Sequence, residues 1–132
     1  MIGILLITHG AFGKELLKSA EMIMGEIECI KALPLYPEDN LEQLRGVIEE
    51  EIKVMDQGEG VLVLVDLFGG SPCNVTASCI RNGNVECITG LSMPMLIKAA
   101  EARISEPLSE IPAQCIDYIA ESAIDVKARY SE

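Results

Sequence analysis

The sequence of 132 residues predicts an α/β fold, doubly wound, with helices on both faces of a mainly parallel sheet of four strands. Two observations lead to this fold class. Short aliphatic runs alternate along the chain with amphipathic segments in which apolar residues recur three and four positions apart. The most apolar run, Val61–Val65, contains no polar residue, which is typical of a strand buried on both faces. We find no internal repeat or linker, so the sequence predicts a single domain over residues 1–132.

The first half of the chain contains two predicted strands, each followed by a helix. Ile2–Thr8 is a continuous aliphatic run and is predicted as a buried strand, and Lys14–Met24 follows as a helix with one apolar face. Cys29–Leu35 is a weaker strand, which the motif PLYP ends. Glu38–Gln57 shows the clearest helical periodicity, and Asp39–Glu42 at its start resembles a capping box.

The second half repeats the alternation. Gly60–Gly70 is the third predicted β segment, and a helix follows from Ser71 to about Arg81. Ser71 is predicted as the N-cap of that helix and Pro72 as its first helical residue, where the missing N–H costs nothing. Val85–Thr89 is the fourth strand. Helices of this length between strands imply right-handed crossovers and therefore parallel pairing.

The end of the chain is less regular. Pro94–Arg103 and Pro107–Ser122 are predicted as helices, and residues 124–130 (IDVKARY) as either a short final strand or a tail. In an open parallel sheet, ligands bind at the carboxyl ends of the strands. The residues that follow the predicted strands are therefore the first candidates for a functional site.

Composition excludes several classes of protein. Ten Lys and Arg against 21 Asp and Glu give a formal charge of −11, which argues against nucleic acid and anionic membranes as partners. The five cysteines are odd in number and form no CxxC pair, so neither a disulfide framework nor a metal site is predicted, and no cofactor motif occurs. The first apolar run is too short to span a membrane and no basic segment precedes it. We therefore expect a cytoplasmic protein with reduced thiols.

Two polar residues stand at predicted strand ends. His9 is the only histidine, and Gly10 and Gly13 flank it in the loop after the first strand. Imidazole is a nucleophile near neutral pH. Asp66 follows the third strand, where its carboxylate could accept the Nδ1–H of His9 and leave Nε2 free, or accept hydrogen bonds from the amides of residues 67–70. The two roles are compatible, and the sequence leaves both open.

Gly69, Gly70 and Ser71 form the third part of the predicted site. Uncovered amides at the two glycines and the N-terminus of the next helix would cradle a phosphate or another anion. The alternative is ordinary turn chemistry, with Ser71 acting only as a cap. Together with His9 and Asp66, this motif predicts a histidine that is phosphorylated on Nε2 and needs little else, because phosphoryl transfer depends on positioning and charge stabilisation.

The motifs ILLITHGAFGKELLKSAEMIMGE, GVLVLVDLFGGSPCNVTA and ITGLSMPML occur in this order, and their combination resembles the enzyme IIA domain of the mannose/fructose/sorbose family of the bacterial sugar phosphotransferase system. The resemblance implies that His9 takes a phosphoryl group from the phosphocarrier protein HPr and passes it to a separate enzyme IIB. It assigns Asp66 as the residue bonded to His9 and Ser71 as a phosphoryl contact. Leu67 departs from the family pattern, since some members carry a Thr there.

The same resemblance bears on assembly. It implies a homodimer in which the two subunits exchange an antiparallel last strand, which would be residues 124–130 here. It also implies cooperation with membrane permease components, without insertion of this chain into the membrane. Two other functions remain open. One is a regulatory module controlled by phosphorylation, similar to the dihydroxyacetone kinase phosphocarrier subunit. The other is a phosphohistidine hydrolase, which would need a second histidine that this sequence lacks.

Overall fold

The computed structural model describes residues 1–80 and 83–131, and these form helices around a sheet of four strands, all paired in parallel. The strand order is β2-β1-β3-β4. The elements, in chain order, are β1 Gly3–His9, α1 Phe12–Met24, β2 Ile30–Leu35, α2 Leu41–Met55, β3 Val61–Val65, α3 Ser71–Cys79, β4 Val85–Thr89, α4 Met93–Ala102, a 3₁₀ turn Leu108–Glu110, α5 Ile111–Ser122 and α6 Val126–Arg129.

The predicted fold class is confirmed. The fourth strand has the predicted bounds, and the third is confined to Val61–Val65 within the predicted segment Gly60–Gly70. The first strand begins and ends one residue later than predicted, and the second begins one residue later. The predicted third helix was to end at Arg81, which lies outside the described residues. The prediction holds because the strands are short aliphatic runs bounded by Gly, Pro and polar residues, which leaves little freedom in placing them.

The sheet is covered on both faces because side chains alternate along the two central strands. Ile4 and Leu6 of β1 pack with Leu62 and Leu64 of β3 in the core on one side, which α1, α4 and α5 cover. The alternate residues, Leu5 and Ile7 with the valines of β3, pack on the other side against α2 and α3. This division is the doubly wound arrangement that the sequence predicts.

A buried arginine ties the amino ends of β1 and β2 together. Arg103 donates from Nη1 to the carbonyl oxygens of Ile2, at 2.9 Å, and Cys29, at 3.2 Å, and from Nη2 to that of Glu28. Burial lowers the pKa of its guanidinium. The three carbonyls satisfy most of the charged donor group, which sits at the opposite edge of the sheet from His9.

The capping box predicted at the start of α2 is wrong. Asn40 is the N-cap, and its Oδ1 accepts a hydrogen bond from the amide of Gln43 at 3.1 Å. Asp39 instead accepts from the amide of Tyr36 at 2.8 Å and closes a turn ahead of the helix. Because this turn uses the Asp39 side chain, the cap moves to the next residue.

The final strand predicted at residues 124–130, with a tail as the alternative, is not confirmed in the single chain. Val126–Arg129 forms a helical turn, which Asp125 caps by accepting from the amide of Ala128 at 3.0 Å. A strand needs donors and acceptors on a neighbouring strand. This exposed segment finds a local cap instead, so its backbone forms hydrogen bonds within the turn.

Gly46→Ala should stabilise the protein by about 1 kcal/mol, because Gly46 lies inside α2 and a Cβ there would meet nothing within 4 Å. Thermal unfolding should show a midpoint raised by about 4 °C. Gly60→Ala is the opposing control, since Gly60 has a φ of +89° and a Cβ would lie 2.5 Å from the carbonyl oxygen of Asn84. A lowered midpoint for Gly46→Ala would contradict the expectation.

Candidate active site

His9 is the last residue of β1, at the carboxyl edge of the sheet. The chain then turns sharply at Gly10, whose φ is +53° and whose amide donates to the carbonyl oxygen of Leu35 at 2.7 Å. The side chain of His9 is 53% exposed, although the preceding residues of the strand are buried. The central strand therefore delivers a fixed backbone and an accessible imidazole ring.

Asp66 lies directly beside His9, because β1 and β3 pair in parallel and Ile7 is in register with Val65. Its Oδ2 accepts a hydrogen bond from the backbone amide of His9 at 3.0 Å and lies 2.9 Å from Nδ1 of the ring. An ionised carboxylate only accepts, so Nδ1 is the donor. In the neutral ring the lone pair is then on Nε2, which is the arrangement a nucleophile needs.

The hydrogen bonds to the Asp66 side chain decide between its two predicted roles, within the described residues. Both come from His9, and none comes from the amides of residues 67–70. The side chain is 15% exposed, and its second oxygen, Oδ1, is buried without a hydrogen-bond partner in the described part of the chain. Among the described residues, the Asp66 carboxylate therefore accepts hydrogen bonds from His9 and from none of the amides of residues 67–70.

Gly70 packs against the edge of the imidazole that carries Nε2. A Cβ at this position would lie 2.9 Å from Cε1 and 3.3 Å from Nε2 of His9, so a side chain larger than hydrogen would collide with the ring. Gly69 contributes differently: its φ is +85°, and a Cβ there would meet nothing within 4 Å. Gly69 therefore allows the positive φ of the turn, and Gly70 allows the backbone to approach the His9 ring closely.

The predicted N-cap at Ser71 is wrong by one residue. Gly70 is the N-cap of α3, and its carbonyl oxygen accepts from the amide of Asn74 at 2.9 Å. Ser71 is already helical, and its hydroxyl makes no capping hydrogen bond. The extended backbone of Gly70, with φ −80° and ψ 171°, starts the helix early. In the first turn, the amides of Ser71 and Cys73 have no intrahelical partner and carry the partial positive charge of a helix N-terminus, whereas Pro72 has no N–H. The start of this helix, Gly70, packs against the ring of His9.

Thr8 also belongs to the site, and sequence reasoning did not find it. It is 1% exposed, and its hydroxyl oxygen accepts from the amide of Gly13 at 2.9 Å while donating to the carbonyl oxygen of Gly10 at 3.3 Å. These bonds close the loop between β1 and α1. One signal in the sequence could have indicated this role. The N-cap of α1 is Ala11, whose side chain cannot accept a hydrogen bond, and Thr8 is the nearest preceding threonine that could accept one in its place.

A recess of about 490 Å³ opens beside the ring of His9. The turn after β2 forms its far wall, and Ser71 closes it on the side of α3. Its lining residues are His9, Gly10, Leu35, Tyr36, Pro37, Asp39, Leu41 and Ser71. A partner molecule can reach the histidine through this recess, and the site has no deep cleft among the described residues.

Two further observations apply to residues 1–80 and 83–131. No three His, Cys, Asp or Glu side chains come together there in a way that would hold a metal ion. None of the helices in this part of the chain has both the length and the apolar composition for crossing a bilayer. The chemistry that the described site offers is that of an imidazole, a carboxylate and backbone amides.

Comparison with known families agrees with this geometry. Residues 3–116 match the family model EIIA-man, described as the fructose IIA component of the phosphotransferase system (PTS). The chain belongs to this family. Enzyme IIA components are sugar-specific phosphotransferase components, so the resemblance predicted from the motifs is confirmed.

Individual relatives support the same assignment. Over 130 residues, the chain is 34% identical to the mannose-specific EIIAB component of Escherichia coli K12, a match that covers 97% of this chain and 40% of the relative. The chain thus spans about two fifths of the length of that protein. It is 31% identical over 104 residues to the fructose-specific EIIA component of Bacillus subtilis, covering 78% of this chain and 71% of the relative. Both are named as PTS components.

A solved structure shows the same fold. The crystal structure of the phosphotransferase system component EIIA from Streptococcus agalactiae superposes with a TM-score of 0.86 at 26% sequence identity. The match covers 97% of this chain and 99% of the other. The α/β architecture of this enzyme IIA component is therefore shared along nearly its whole length.

Gly70→Ala should displace the His9 ring without unfolding the protein. The φ of −80° suits alanine, so the collision with Cε1 and Nε2 is the only cost. Because His9 is the only histidine, its ring nitrogens give a single set of NMR signals, and we expect these to lose the Nδ1–H pattern of the wild type. Gly46→Ala serves as the control with an unchanged spectrum. An unaltered spectrum for Gly70→Ala would show that the ring tolerates a side chain here.

Proposed function

We propose that this enzyme IIA component carries a phosphoryl group on Nε2 of His9, accepting it from HPr and passing it to an enzyme IIB. The observation that carries the proposal is the 2.9 Å contact between Nδ1 of His9 and Oδ2 of Asp66. It holds the ring in the tautomer with a free Nε2, on a side chain that remains 53% exposed for a protein partner.

In the proposed transfer, the Nε2 lone pair attacks the phosphorus of a phosphohistidine on the donor protein. The new P–N bond forms as the donor's P–N bond breaks, and the donor ring keeps the electron pair. The ring of His9 becomes positively charged while it holds the phosphoryl group, and the Asp66 carboxylate stabilises that charge through Nδ1–H. Transfer to the acceptor reverses these steps with a nucleophile of enzyme IIB.

The phosphoryl oxygens have backbone partners in this proposal. The proposed partners are the first-turn amides of Ser71 and Cys73 in α3, since Pro72 has no N–H, and the Ser71 hydroxyl, which is not engaged in capping. Leu67 is exposed, and its side chain offers no donor at the position where some relatives carry a Thr. The cradle therefore depends on the amides and on Ser71.

Two other functions are less well supported. The relatives named above are sugar phosphotransferase components, so the regulatory module similar to a dihydroxyacetone kinase subunit is not favoured. A phosphohistidine hydrolase needs a second histidine, and His9 is the only histidine in the sequence.

We place the protein in the cytoplasm, where HPr and enzyme IIB would meet it. The sugar is set by other components, because a phosphoryl carrier does not contact it.

We also propose a homodimer, because the two edges of the sheet differ. The β2 edge carries Pro34, which has no N–H, and Lys31, and both disfavour pairing with a further strand. The β4 edge borders an apolar groove of about 610 Å³ that Phe68, Ile116 and Ile119 line. Residues 124–130 carry exposed apolar side chains that would fit this groove in a second copy. Pairing in the dimer would replace the helical turn α6 seen in the single chain.

Ile124→Asp should weaken this dimer while leaving the subunit folded, because Ile124 is half exposed in the single chain. Sedimentation velocity should show dimers for the wild type and mainly monomers for the variant. Ser109→Asp, at another exposed position, is the charge-matched control and should stay dimeric. A wild-type protein that sediments as a monomer would refute the assembly.

His9→Ala should abolish labelling when the protein is incubated with enzyme I, HPr and phosphoenolpyruvate, whereas the wild type should gain one acid-labile phosphoryl group by mass spectrometry. Asp66→Asn should be labelled more slowly, by on the order of 100-fold or more, because an amide does not enforce the Nδ1–H tautomer. Circular dichroism confirms that each variant is folded. Labelling of His9→Ala at the wild-type level would overturn the proposal.

A further inference from the structure

The side chain of Thr8, the residue before His9, connects the end of β1 to the start of α1. Thr8 is 1% exposed, so its side chain does not reach a partner protein or a phosphoryl group. Its hydroxyl oxygen accepts from the amide of Gly13 at 2.9 Å, and the hydroxyl donates to the carbonyl oxygen of Gly10 at 3.3 Å. A hydroxyl group can accept and donate at once, whereas an aliphatic side chain can do neither. One buried side chain therefore holds two backbone groups of the loop that follows the reactive histidine.

The bond to Gly13 takes the place of an ordinary helix cap. Helix α1 begins at Phe12 after Ala11, whose side chain cannot accept a hydrogen bond, and Gly13 is the second residue of the helix. The amide at this position is one that an N-cap side chain usually satisfies, and Thr8 satisfies it here from the strand. Gly13 also packs directly on Thr8, because a Cβ on Gly13 would lie 3.1 Å from Cγ2 and 3.2 Å from Oγ1 of Thr8. The start of α1 is thus fixed to the strand that carries His9.

The loop needs this connection because Gly10 can adopt many backbone conformations. Its φ is +53°, a value that glycine reaches without strain and leaves just as easily. The amide of Gly10 donates to the carbonyl oxygen of Leu35, and the Thr8 hydroxyl holds the carbonyl oxygen of Gly10. Without the hydroxyl, the loop could turn at Gly10 and carry the backbone of His9 with it.

A shift of the His9 backbone would change the contact of its ring with Asp66, because one carboxylate oxygen serves both. Oδ2 of Asp66 accepts from the backbone amide of His9 at 3.0 Å and lies 2.9 Å from Nδ1 of the ring. Two hydrogen bonds to one acceptor atom are well formed together only over a narrow range of backbone and ring orientations. The position of the backbone therefore determines whether Nδ1–H points at the carboxylate and leaves Nε2 free.

We propose that Thr8 is a positioning residue for phosphoryl transfer, because its buried hydroxyl holds the loop in the conformation that keeps the ring of His9 on Asp66. Thr8 acts through His9 and touches neither the phosphoryl group nor the partner protein. This inference rests on the proposed carrier function and adds a residue that prepares Nε2 for attack.

The test compares Thr8→Val with Thr8→Ser and Ser92→Ala. Valine has nearly the shape of threonine without the hydroxyl, and serine keeps the hydroxyl without the methyl group. Ser92 caps α4 by accepting from the amide of Met95 at 3.3 Å, so Ser92→Ala removes a helix cap in the loop after β4, which β3 separates from β1. For each variant, kcat and KM with phosphorylated HPr are measured together with the ring-nitrogen NMR signals of His9 and the midpoint of thermal unfolding.

For Thr8→Val we expect kcat to fall about 10-fold with an unchanged KM, since the ring is misplaced while the docking surface is intact. Its ring-nitrogen signals should show a smaller share of the Nδ1–H form. Thr8→Ser should keep kcat and the ring signals close to those of the wild type. Ser92→Ala should lower the unfolding midpoint and leave the kinetics and the ring signals unchanged.

Gly13→Ala is the second variant, and it decides the matter if Thr8→Val does not fold. It keeps the hydroxyl, but its Cβ would press against Oγ1 and Cγ2 of Thr8 and separate the helix start from the strand. We expect kcat and the ring signals to change in the same direction as in Thr8→Val.

The inference is wrong if Thr8→Val lowers the unfolding midpoint as Ser92→Ala does but keeps the wild-type kcat and ring signals, because the hydroxyl is then only a helix cap. It is also wrong if Thr8→Ser is as impaired as Thr8→Val, since packing of the methyl group would then be responsible. A wild-type protein that accepts no phosphoryl group would refute the carrier function instead, and the ring signals of Thr8→Val would then decide alone whether Thr8 positions His9.

Discussion

The site depends on the parallel pairing of β1 with β3. These strands lie in the middle of the sheet, and their register brings together His9 and Asp66, which are 57 positions apart in sequence. The register is strongly determined, because a shift of one residue would move the side chains of a strand buried on both faces into the wrong core. Packing of aliphatic side chains therefore fixes the hydrogen bonds between one carboxylate oxygen and both the amide and the ring of His9.

Around this fixed pair, the loops pack closely against one side of the His9 ring and leave the other side accessible. Thr8 holds the loop after β1 through buried hydrogen bonds, and Gly70 brings the backbone of the second loop against the imidazole. The outer side of the ring remains exposed and borders the recess. Such a site has rigid geometry toward the protein interior and free access for a partner, and the proposed carrier function requires both.

The sequence predicted the features that depend on burial and chain order. Aliphatic runs located the four strands, and their ends located His9 and Asp66. It did not predict the N-caps at Asn40 and Gly70, because the choice among adjacent capping residues depends on backbone angles and on competing turns, such as the one that engages Asp39. It also missed Thr8, since a hydroxyl in a buried strand looks like any other core position in a one-dimensional pattern.

The absence of a cationic side chain from the lining of the recess, among the described residues, has a kinetic consequence. A carrier must release its phosphoryl group as readily as it accepts it. A resident arginine would stabilise the phosphorylated resting state as well as the transition state, and binding that is equally strong in both does not accelerate transfer. In the proposed carrier, backbone amides and one hydroxyl would hold the phosphoryl group between encounters, which favours its delivery to the next protein.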